Sequence, residues 1–403
     1  MKKIRIFCLG IIALFGTASC SDSSPDIEDA PDLGLKTEYA IPRLQVLDIE
    51  PQNVAANSGF EWTIKSKTTQ EDSLIITDKT LSFISLYSGI YSVILKIKTP
   101  NETIEKQIHI TVQKEAVPYS AYISRVYDFF PAVGQFTNSL PKWEDGDTQE
   151  TMTAKAGEAI AGAQPTNISL GGYGGYVVFG FDHTIINITG QRDFKILGNT
   201  VWDATFDPSE KIGSSEPGII MISYDKNKNG LPDDEWYEIA GSEYGKAETV
   251  KQYEIVYYKP PSNKTQVAGT EYWQTDLEYI HWEDNSGNSG YKTKNSWHSQ
   301  SYYPEWKSSE SLSFTGTKLA DNYYQSGTKW LGKAYAYGYA DNVPNDDEAA
   351  GIDIDWAVDK NGNKVKLAGI DFVKVYTGVN QENGWLGEIS TEVGGGFDMH
   401  LKK

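Results

Sequence analysis

Short segments in which apolar and polar residues alternate recur from about residue 39 onward, and this pattern constrains the fold more than any other feature. Clear examples are segments 44–49, 60–64 and 92–97, where an apolar side chain returns at every second position. Successive side chains of a β-strand point to opposite faces of the sheet, so a period of two predicts strands with one buried face. We therefore expect a mainly β protein.

Segment 38–115 is predicted to form a first, smaller domain. Its segment 88–93, followed by 108–112, resembles the last strands of a PKD-like or immunoglobulin-like sandwich. The tryptophan-aspartate-phenylalanine-glycine signature of PKD domains is missing. The resemblance therefore implies a PKD/Ig-like β-sandwich, a class of domain that commonly serves as a spacer.

Residues 118–403 are predicted to form a second, larger domain that binds the ligand. One helix is expected over about 148–163, because Met152, Ala156 and Ile160 recur at helical spacing. The other segments are predicted strands separated by glycine-rich turns, which favours a β-sandwich of jelly-roll type. The predicted strands are 176–181, 184–188, 218–223, 253–258, 312–315, 333–339, 352–358 and 372–377.

The N-terminus has the features of a bacterial secretion signal. Residues 1–19 combine a basic start with an apolar run over 6–15 that is too short for a membrane-spanning helix. The sequence Thr17-Ala18-Ser19-Cys20 resembles the lipobox of bacterial lipoproteins, which implies that Cys20 carries a lipid. The alternative is an ordinary secretory signal with a cysteine nearby by chance.

The segment behind this cysteine predicts where the protein is held. Residues 20–37 are mostly polar and acidic, so we expect the lipidated Cys20 to be followed by a flexible tether. An acidic stretch at this place resembles the surface-export signal of Bacteroidota lipoproteins. It implies a lipid anchor in the outer membrane with the protein facing the extracellular side.

Loss of the signal would leave an acidic chain without a free thiol. Cys8 leaves with the signal and Cys20 is the predicted lipidation site, so no cysteine pair remains for a disulfide. Removal of the three basic residues of the signal takes the formal charge from −19 to −22. Such a charge disfavours nucleic acid and anionic lipid as partners.

Segment 225–235 predicts a calcium site. Oxygen-bearing side chains stand at its first, third, fifth and ninth positions, and the glycine at the sixth allows a sharp turn. Trp236 stands where an EF-hand has its closing glutamate, so the segment resembles the shorter dockerin or thrombospondin type of loop, with a structural Ca²⁺ ion. The alternative is a hairpin turn without metal. The predicted ligands are Asp225, Asn227, Asn229, the Leu231 carbonyl, Asp233 and Asp234.

Aromatic residues are dense between residues 271 and 306. Aromatic rings offer rigid apolar area with a polar rim, which suits sugar rings, corrin edges or a protein partner. Many of these rings must fill the core, but the polar residues among them indicate that some line a cleft. The predicted ligand-binding residues are Trp273, Trp282, Trp297, His298, Tyr302, Asn380 and Trp385.

Motifs of common enzymes are missing from the sequence. The chain has no Gly-x-Ser-x-Gly elbow and no His-Glu-x-x-His motif, and its histidines lack metal-ligand spacing. His281 with Glu283 and Asp284 is the best group for acid–base catalysis. We expect a binding protein rather than an enzyme.

Several segments of the larger domain resemble the PKD-like surface lipoproteins of gut Bacteroidota. These segments are 169–183, 215–218, 233–242, 339–342 and 384–388. The order of strands and polar residues around 193–199 and 216–217 is also similar to galactose-binding-like jelly rolls.

The family resemblance implies a protein that captures a nutrient at the cell surface. Its members are associated with TonB-dependent outer-membrane transporters, including those for cobamides, so a cobamide is the leading ligand and such a transporter the expected partner. The Asp-x-His-x-x-Gly box of base-off corrinoid enzymes is absent. The main alternative is a glycan-binding lipoprotein of a polysaccharide-utilisation system, and a calcium-stiffened adhesin or scaffold is another.

Overall fold

The computed structural model describes residues 32–66 and 74–402. The predicted signal peptide, the predicted lipidation site Cys20 and most of the predicted tether lie outside the described residues. None of the described helices is long and apolar enough to cross a membrane. The described part of the chain is mainly β, as the alternating pattern predicted, and its strands form several sheets.

The N-terminal part of the fold contains a five-stranded sheet and a separate strand pair. Its strands are β1 (Glu38–Pro42), β2 (Leu47–Ile49), β3 (Gly59–Ser66), β4 (Leu74–Ile76), β5 (Leu81–Phe83), β6 (Gly89–Lys98) and β7 (Thr103–Gln113). The sheet has the order β1-β7-β6-β3-β4, with β1 parallel to β7, while β2 pairs with β5. Val93, Leu95 and Ile97 alternate along β6 and pack with Trp62 in one core, so the predicted period of two is confirmed there.

The C-terminal part carries one α-helix and many short strands. The helix is α1 (Gln149–Ile160), and single 3-10 turns are formed by Pro208–Glu210, Glu348–Ala350, Ile354–Trp356 and Gly384–Leu386. The strands are β8 (Arg125–Phe130), β9 (Ile168–Ser169), β10 (Tyr176–Ile186), β11 (Phe194–Ile196), β12 (Ile212–Gly213), β13 (Gly218–Ser223), β14 (Trp236–Ile239), β15 (Val250–Tyr258), β16 (Gln274–Asp284), β17 (Ser289–Asn295), β18 (Ser311–Lys318), β19 (Tyr323–Ser326), β20 (Lys329–Lys333), β21 (Gly351–Ile352), β22 (Ala357–Val358), β23 (Gly369–Thr377), β24 (Glu392–Val393) and β25 (Gly396–Asp398).

The largest sheet of this part has the order β22-β14-β13-β23-β10-β8. Its central strand β23 is antiparallel to both β10 and β13, and the apolar side chains of these strands are buried in one core. Helix α1 adds the buried Met152, Ala156 and Ile160 to this core, so the predicted helix is confirmed. Its first turn is capped by the Thr148 side chain, which accepts the Thr151 N–H.

A second core is dominated by tyrosines and lies under the sheet β17-β16-β15-β18. Tyr173, Tyr253, Tyr257 and Tyr376 meet here, and Tyr376 on β23 connects this core to the largest sheet. Three smaller sheets have the orders β21-β11-β25, β12-β20-β19 and β24-β9. The sheet β12-β20-β19 and the segments that follow β8 and β17 contribute to the cavity described below.

Four of the predicted strands differ in detail from the structure. Segment 333–339 leaves the sheet at Lys333, and segment 352–358 is interrupted by the 3-10 turn Ile354–Trp356. Asp353 caps that turn by accepting the Asp355 N–H, which gives the backbone an alternative to pairing as a strand. The segments 176–181 and 184–188 join into the single strand β10, with a register shift between Gly180 and Ile185.

Candidate functional site

A cavity of about 750 Å³ opens on one side of the C-terminal part of the fold. Four tryptophans from separate parts of the chain line it, namely Trp202, Trp297, Trp330 and Trp385. Most small-molecule sites are concave, largely apolar and supplied with a few polar groups. We refer to this space as the tryptophan cavity.

Strand pairing and two glycines position one wall of the tryptophan cavity. Trp202 pairs with Gly213 in an isolated bridge, and β12 pairs with β20, which carries Trp330. A Cβ on Gly213 would collide with the Val201 carbonyl oxygen, so only glycine allows this close approach. Gly384 has φ of +54°, and a Cβ there would lie 2.8 Å from Trp330 Nε1.

The indole of Trp385 lies at the edge of the same wall. It stands on the 3-10 turn Gly384–Leu386, and its Nε1 donates to the Thr328 carbonyl over 3.3 Å. Its side chain is nevertheless 44% exposed. A large aromatic face is thus held in place but left open to solvent.

The opposite wall is formed by Trp297 and His298, which follow β17. The Asn295 carboxamide oxygen accepts the N–H groups of both residues, at 3.1 and 3.0 Å. Trp273 stacks on Trp297 with ring centroids 5.9 Å apart and an angle of 14° between the planes. One face of Trp297 is therefore supported by another indole, while the residue as a whole remains 49% exposed.

A buried carboxyl group forms part of the inner surface of the tryptophan cavity. Glu388 accepts the Gln135 N–H over 2.5 Å, and the Gln135 carboxamide oxygen accepts Asn295 Nδ2 over 2.8 Å. Burial raises the pKa of Glu388 to about 8, so this carboxyl is mostly protonated at neutral pH and can donate a hydrogen bond. Burial also lowers the pKa of the neighbouring His298 imidazole, which favours its neutral form.

Glu216 reaches the tryptophan cavity from the loop before β13 and belongs to a cluster of three carboxylates. Oxygen atoms of Glu216, Asp341 and Glu392 lie within 4.8 Å of one another. Among the described residues, this is the group of Asp, Glu, His and Cys side chains that is arranged to hold a metal ion.

The structure brings part of the predicted ligand-binding set together. Trp297, His298 and Trp385 line the tryptophan cavity, and Trp273 supports it from behind. Tyr302, in contrast, is only 1% exposed and belongs to the tyrosine core. Its interpretation as a ligand contact does not fit this placement.

The other two residues of the predicted set lie elsewhere. The ring of Trp282 lies on β16 against Gly290 of β17, where a Cβ would lie 2.8 Å from the indole. Asn380 accepts the ammonium of Lys292 over 2.9 Å, and its amide donates to the Tyr253 hydroxyl over 3.4 Å. Both side chains are engaged within the fold rather than at the cavity.

Sequence reasoning missed Trp202, Trp330, Glu216, Glu388 and Tyr323. They lie in the cavity wall but come from segments far apart in the chain. Aromatic density identified the 271–306 segment because its residues are close in sequence. The remaining residues have no comparable local signal.

The predicted calcium loop forms a compact exposed turn between β13 and β14. Asp225 accepts the N–H groups of Asn229 and Gly230 at 3.1 and 2.8 Å. The side-chain amides of Asn227 and Asn229 donate to Asp233 at 3.0 and 2.9 Å. The first, third, fifth and ninth positions are therefore folded together, as a calcium loop requires.

The donor set of this loop consists of oxygen atoms, which suits a hard cation. Its carboxylates Asp225, Asp233 and Asp234 do not converge, within the described chain, to the mutual distance seen in the Glu216 cluster. A bound Ca²⁺ would need the Asn227 and Asn229 carboxamide oxygens as well. Calcium in the loop stays a prediction.

The suggested acid–base group lies away from the tryptophan cavity. The His281 ring stacks on Tyr258 with centroids 5.4 Å apart, and its Nε2 lies 4.0 Å from Glu283. The Asp284 carboxylate accepts N–H groups of Ser286 and Asn288 in the following turn.

Comparison with known proteins adds little to this geometry. No protein-family model matches the chain, and no curated protein matches it. Among solved structures, one similar chain is a SusE-like protein, with 8% sequence identity over 89% of this chain and 93% of that chain. The TM-score of 0.24 is too low for this likeness to carry an argument. What the cavity can bind therefore follows from its own residues.

Proposed function

We propose that the chain is a surface lipoprotein that binds a glycan in the tryptophan cavity. The observation that carries this proposal is the exposure of Trp297 and Trp385, 49% and 44%, at one cavity. Exposed apolar surface gathered in a concave site is a mark of ligand binding. The two rings are fixed by neighbouring groups, so little conformational entropy is lost when a ligand stacks on them.

Sugar chemistry matches the composition of the cavity. A pyranose ring has an apolar face of C–H groups, which packs on an indole, and a rim of hydroxyl groups that need hydrogen-bond partners. Glu388 and the His298 imidazole provide such partners beside the tryptophans. A volume of about 750 Å³ gives room for several sugar units.

Charge favours a neutral glycan over an anionic one. Asp203 at the cavity wall is ionised but is paired with Lys329 Nζ at 3.0 Å, so the negative field around the cavity comes from the chain as a whole. The formal charge of the whole chain is −19. Uronic acids and sulfated sugars would meet a repulsive field there, so we expect them to bind more weakly than neutral glycans.

A glycan array probed with the mature chain, made soluble by Cys20→Ser, tests this proposal. We expect a set of neutral glycans to bind, and binding to fall at least tenfold in Trp297→Ala and in Trp385→Ala. Tyr291→Ala is the matched control, because Tyr291 is 42% exposed on β17 but does not line the cavity. Equal loss in all three variants, or no glycan binding by the parent chain, would contradict the proposal.

A cobamide, the ligand that the family resemblance implies, is the alternative to a glycan in the same test. Co-elution of cyanocobalamin with the parent chain, lost in Trp297→Ala, would assign the cavity to a corrinoid instead. The TonB-dependent transporter remains the predicted partner in either case. Its proximity can be tested by crosslinking in intact cells.

A further inference from the structure

Three carboxylates, of which Glu216 lines the tryptophan cavity, have the spacing of a cation site. Glu216 precedes β13, Asp341 follows the bridge between Ala340 and Gly218, and Glu392 begins β24. Their oxygen atoms lie within 4.8 Å of one another. Two oxygen ligands on opposite sides of Ca²⁺ are about 4.8 Å apart, since each bond is about 2.4 Å long. One ion could therefore contact all three side chains.

Backbone and side-chain donors hold two of these carboxylates in fixed positions. Asp341 accepts the N–H groups of Asn199 and Thr200 on one oxygen, at 2.8 and 3.0 Å, and the Glu392 N–H on the other, at 3.0 Å. A Cβ on Gly198 would collide with the Asp341 carboxylate. Asp341 itself has φ of +49°, an uncommon conformation for a residue with a side chain.

Glu392 is held by side chains rather than by the backbone. Its two oxygens accept Ser390 Oγ over 2.8 Å and Asn199 Nδ2 over 3.1 Å. Asp341 and Glu392 are each only 3% exposed. Several hydrogen-bond donors thus hold two acidic groups close together in the interior of the fold.

The charge of the cluster is not balanced by a basic side chain. None of the three carboxylates takes part in an ion pair within the described ranges 32–66 and 74–402. Buried acids without a cationic partner must either bind protons or bind a metal ion.

Tyr323 gives a second, independent indication of a ligand at this place. Its side chain is 92% buried by area, since the residue is 8% exposed, and it lines the cavity together with Glu216. Its hydroxyl makes no hydrogen bond to any residue that the structure describes, although its backbone is paired with Gln381. A Cβ on Gly332 would lie 2.7 Å from Tyr323 Cζ and 3.0 Å from the Ser215 nitrogen, so the hydroxyl end of this ring lies beside the segment that carries Glu216.

We propose that Glu216, Asp341 and Glu392 bind a calcium-like divalent cation at the wall of the tryptophan cavity, with the Tyr323 hydroxyl beside it. An all-oxygen set without His or Cys suits Ca²⁺ better than Zn²⁺. Ca²⁺ takes six to eight oxygen ligands, so positions on the cavity side are left for water or for a bound ligand. The cation site goes beyond glycan binding, because an ion can bind there whether or not a glycan does.

Calorimetric titration of the soluble chain with CaCl₂, after removal of metal with a chelator, tests the site directly. We expect Ca²⁺ to bind at the cluster in the Asp233→Ala background, which removes the predicted loop at 225–235, and its affinity to fall at least tenfold when Glu216→Gln is added. This variant is suitable because Glu216 is the member of the cluster that lines the cavity wall. Glu254→Gln on β15 is the matched control, since Glu254 is exposed and distant from the cluster in the fold.

A Tb³⁺ luminescence titration in the Asp233→Ala background reports on this site without the predicted loop at 225–235, beside which Tyr224 and Trp236 could also sensitise Tb³⁺. The Tyr323 ring next to the cluster should sensitise bound Tb³⁺, so Tyr323→Phe should lower the luminescence at saturation, because phenylalanine is a poor sensitiser. Circular dichroism of each variant checks that it is folded, and Glu392→Gln serves as a second variant. In the Asp233→Ala background, Ca²⁺ binding of equal affinity with and without Glu216→Gln or Glu392→Gln would overturn the proposal, as would no binding of either ion. No glycan is present in these measurements, so failure of the glycan proposal leaves their result unaffected.

Discussion

At the scale of single residues, Glu388 gives the clearest pH-dependent prediction. Its pKa is raised by burial from 4.5 to about 8, so the folded state binds this proton more tightly than the unfolded state does. The stabilisation by the bound proton is complete below pH 4.5 and is lost as the pH rises through about 8. Between these values the loss approaches about 1.4 kcal/mol per pH unit.

Replacement of this carboxyl by an amide should remove the contribution of Glu388 to the pH dependence of the free energy of unfolding. We expect the free energy of unfolding of Glu388→Gln, measured by urea denaturation, to fall less between pH 5 and pH 9 than that of the parent chain. The other buried carboxyls are present in both proteins, so the difference isolates Glu388. Parallel pH profiles of the two proteins would show that the carboxyl is not protonated in the fold.

The cavity also shows which residues a sequence can assign to a site. Trp297 and His298 could be predicted because they lie in a dense aromatic segment beside polar residues. Tyr302, from the same segment, is buried in the tyrosine core, since local density does not reveal which face of a loop turns inward. Trp202 and Glu216 lie in the site only because β12, β13 and β20 meet in three dimensions.

At the scale of secondary-structure elements, Gly213 decides how close β12 comes to the segment that carries Trp202. In Gly213→Ala the new Cβ would collide with the Val201 carbonyl, so the strand must move. We expect a loss of more than about 1 kcal/mol in the free energy of unfolding, together with weaker ligand binding.

Gly245→Ala is the matched control for that substitution. A Cβ at Gly245 would meet no atom within 4 Å. Its free energy of unfolding should stay within about 0.5 kcal/mol of the parent value. Similar effects of the two substitutions, measured by urea denaturation, would contradict the role given to Gly213.

Periodicity predicted those elements whose residues follow a regular period and whose backbone has no competing partner. Strands β6 and β18, with alternating burial, and helix α1, with helical spacing, belong to this group. Segment 333–339 also alternates, but the Asn342 side chain accepts the Tyr335 N–H and donates to the Tyr335 carbonyl, which takes the place of a neighbouring strand. Such tertiary hydrogen bonds cannot be inferred from a local pattern.

At the scale of the whole molecule, the predicted calcium loop lies where the N-terminal and C-terminal parts of the chain meet. Lys228 Nζ donates to the Val46 carbonyl over 3.1 Å, and the Tyr224 hydroxyl donates to Asp48 over 3.4 Å. A cation in this loop would stiffen the contact. We expect Ca²⁺ to slow proteolysis between residues 114 and 124 in the parent chain but not in Asp233→Ala.

A similar turn provides the control for the loop. Asp359 accepts the N–H groups of Asn361 and Asn363 at 2.8 Å each, but this turn lacks the longer series of oxygen ligands. Asp359→Ala should leave the protection by Ca²⁺ intact. Protection that persists in Asp233→Ala would assign the effect to the Glu216 cluster or to another site.

The lipid anchor is the other prediction at this scale, and it lies outside the described residues. Metabolic labelling with a fatty acid should modify the parent chain and not Cys20→Ser, which should be released from membranes. Added protease should digest the parent chain on intact cells. Membrane association that is unchanged in Cys20→Ser would contradict the lipobox interpretation.

Binding of a sugar by the exposed tryptophans of one cavity is the proposal on which the function of this chain depends. The most direct measurement is a calorimetric titration of the soluble chain with the neutral oligosaccharide selected on the array. We expect saturable binding that weakens by at least about 1.4 kcal/mol, or tenfold, in Trp297→Ala and Trp385→Ala and is unchanged in Tyr291→Ala. Equal affinities of the parent chain and both tryptophan variants would contradict glycan binding by Trp297 and Trp385.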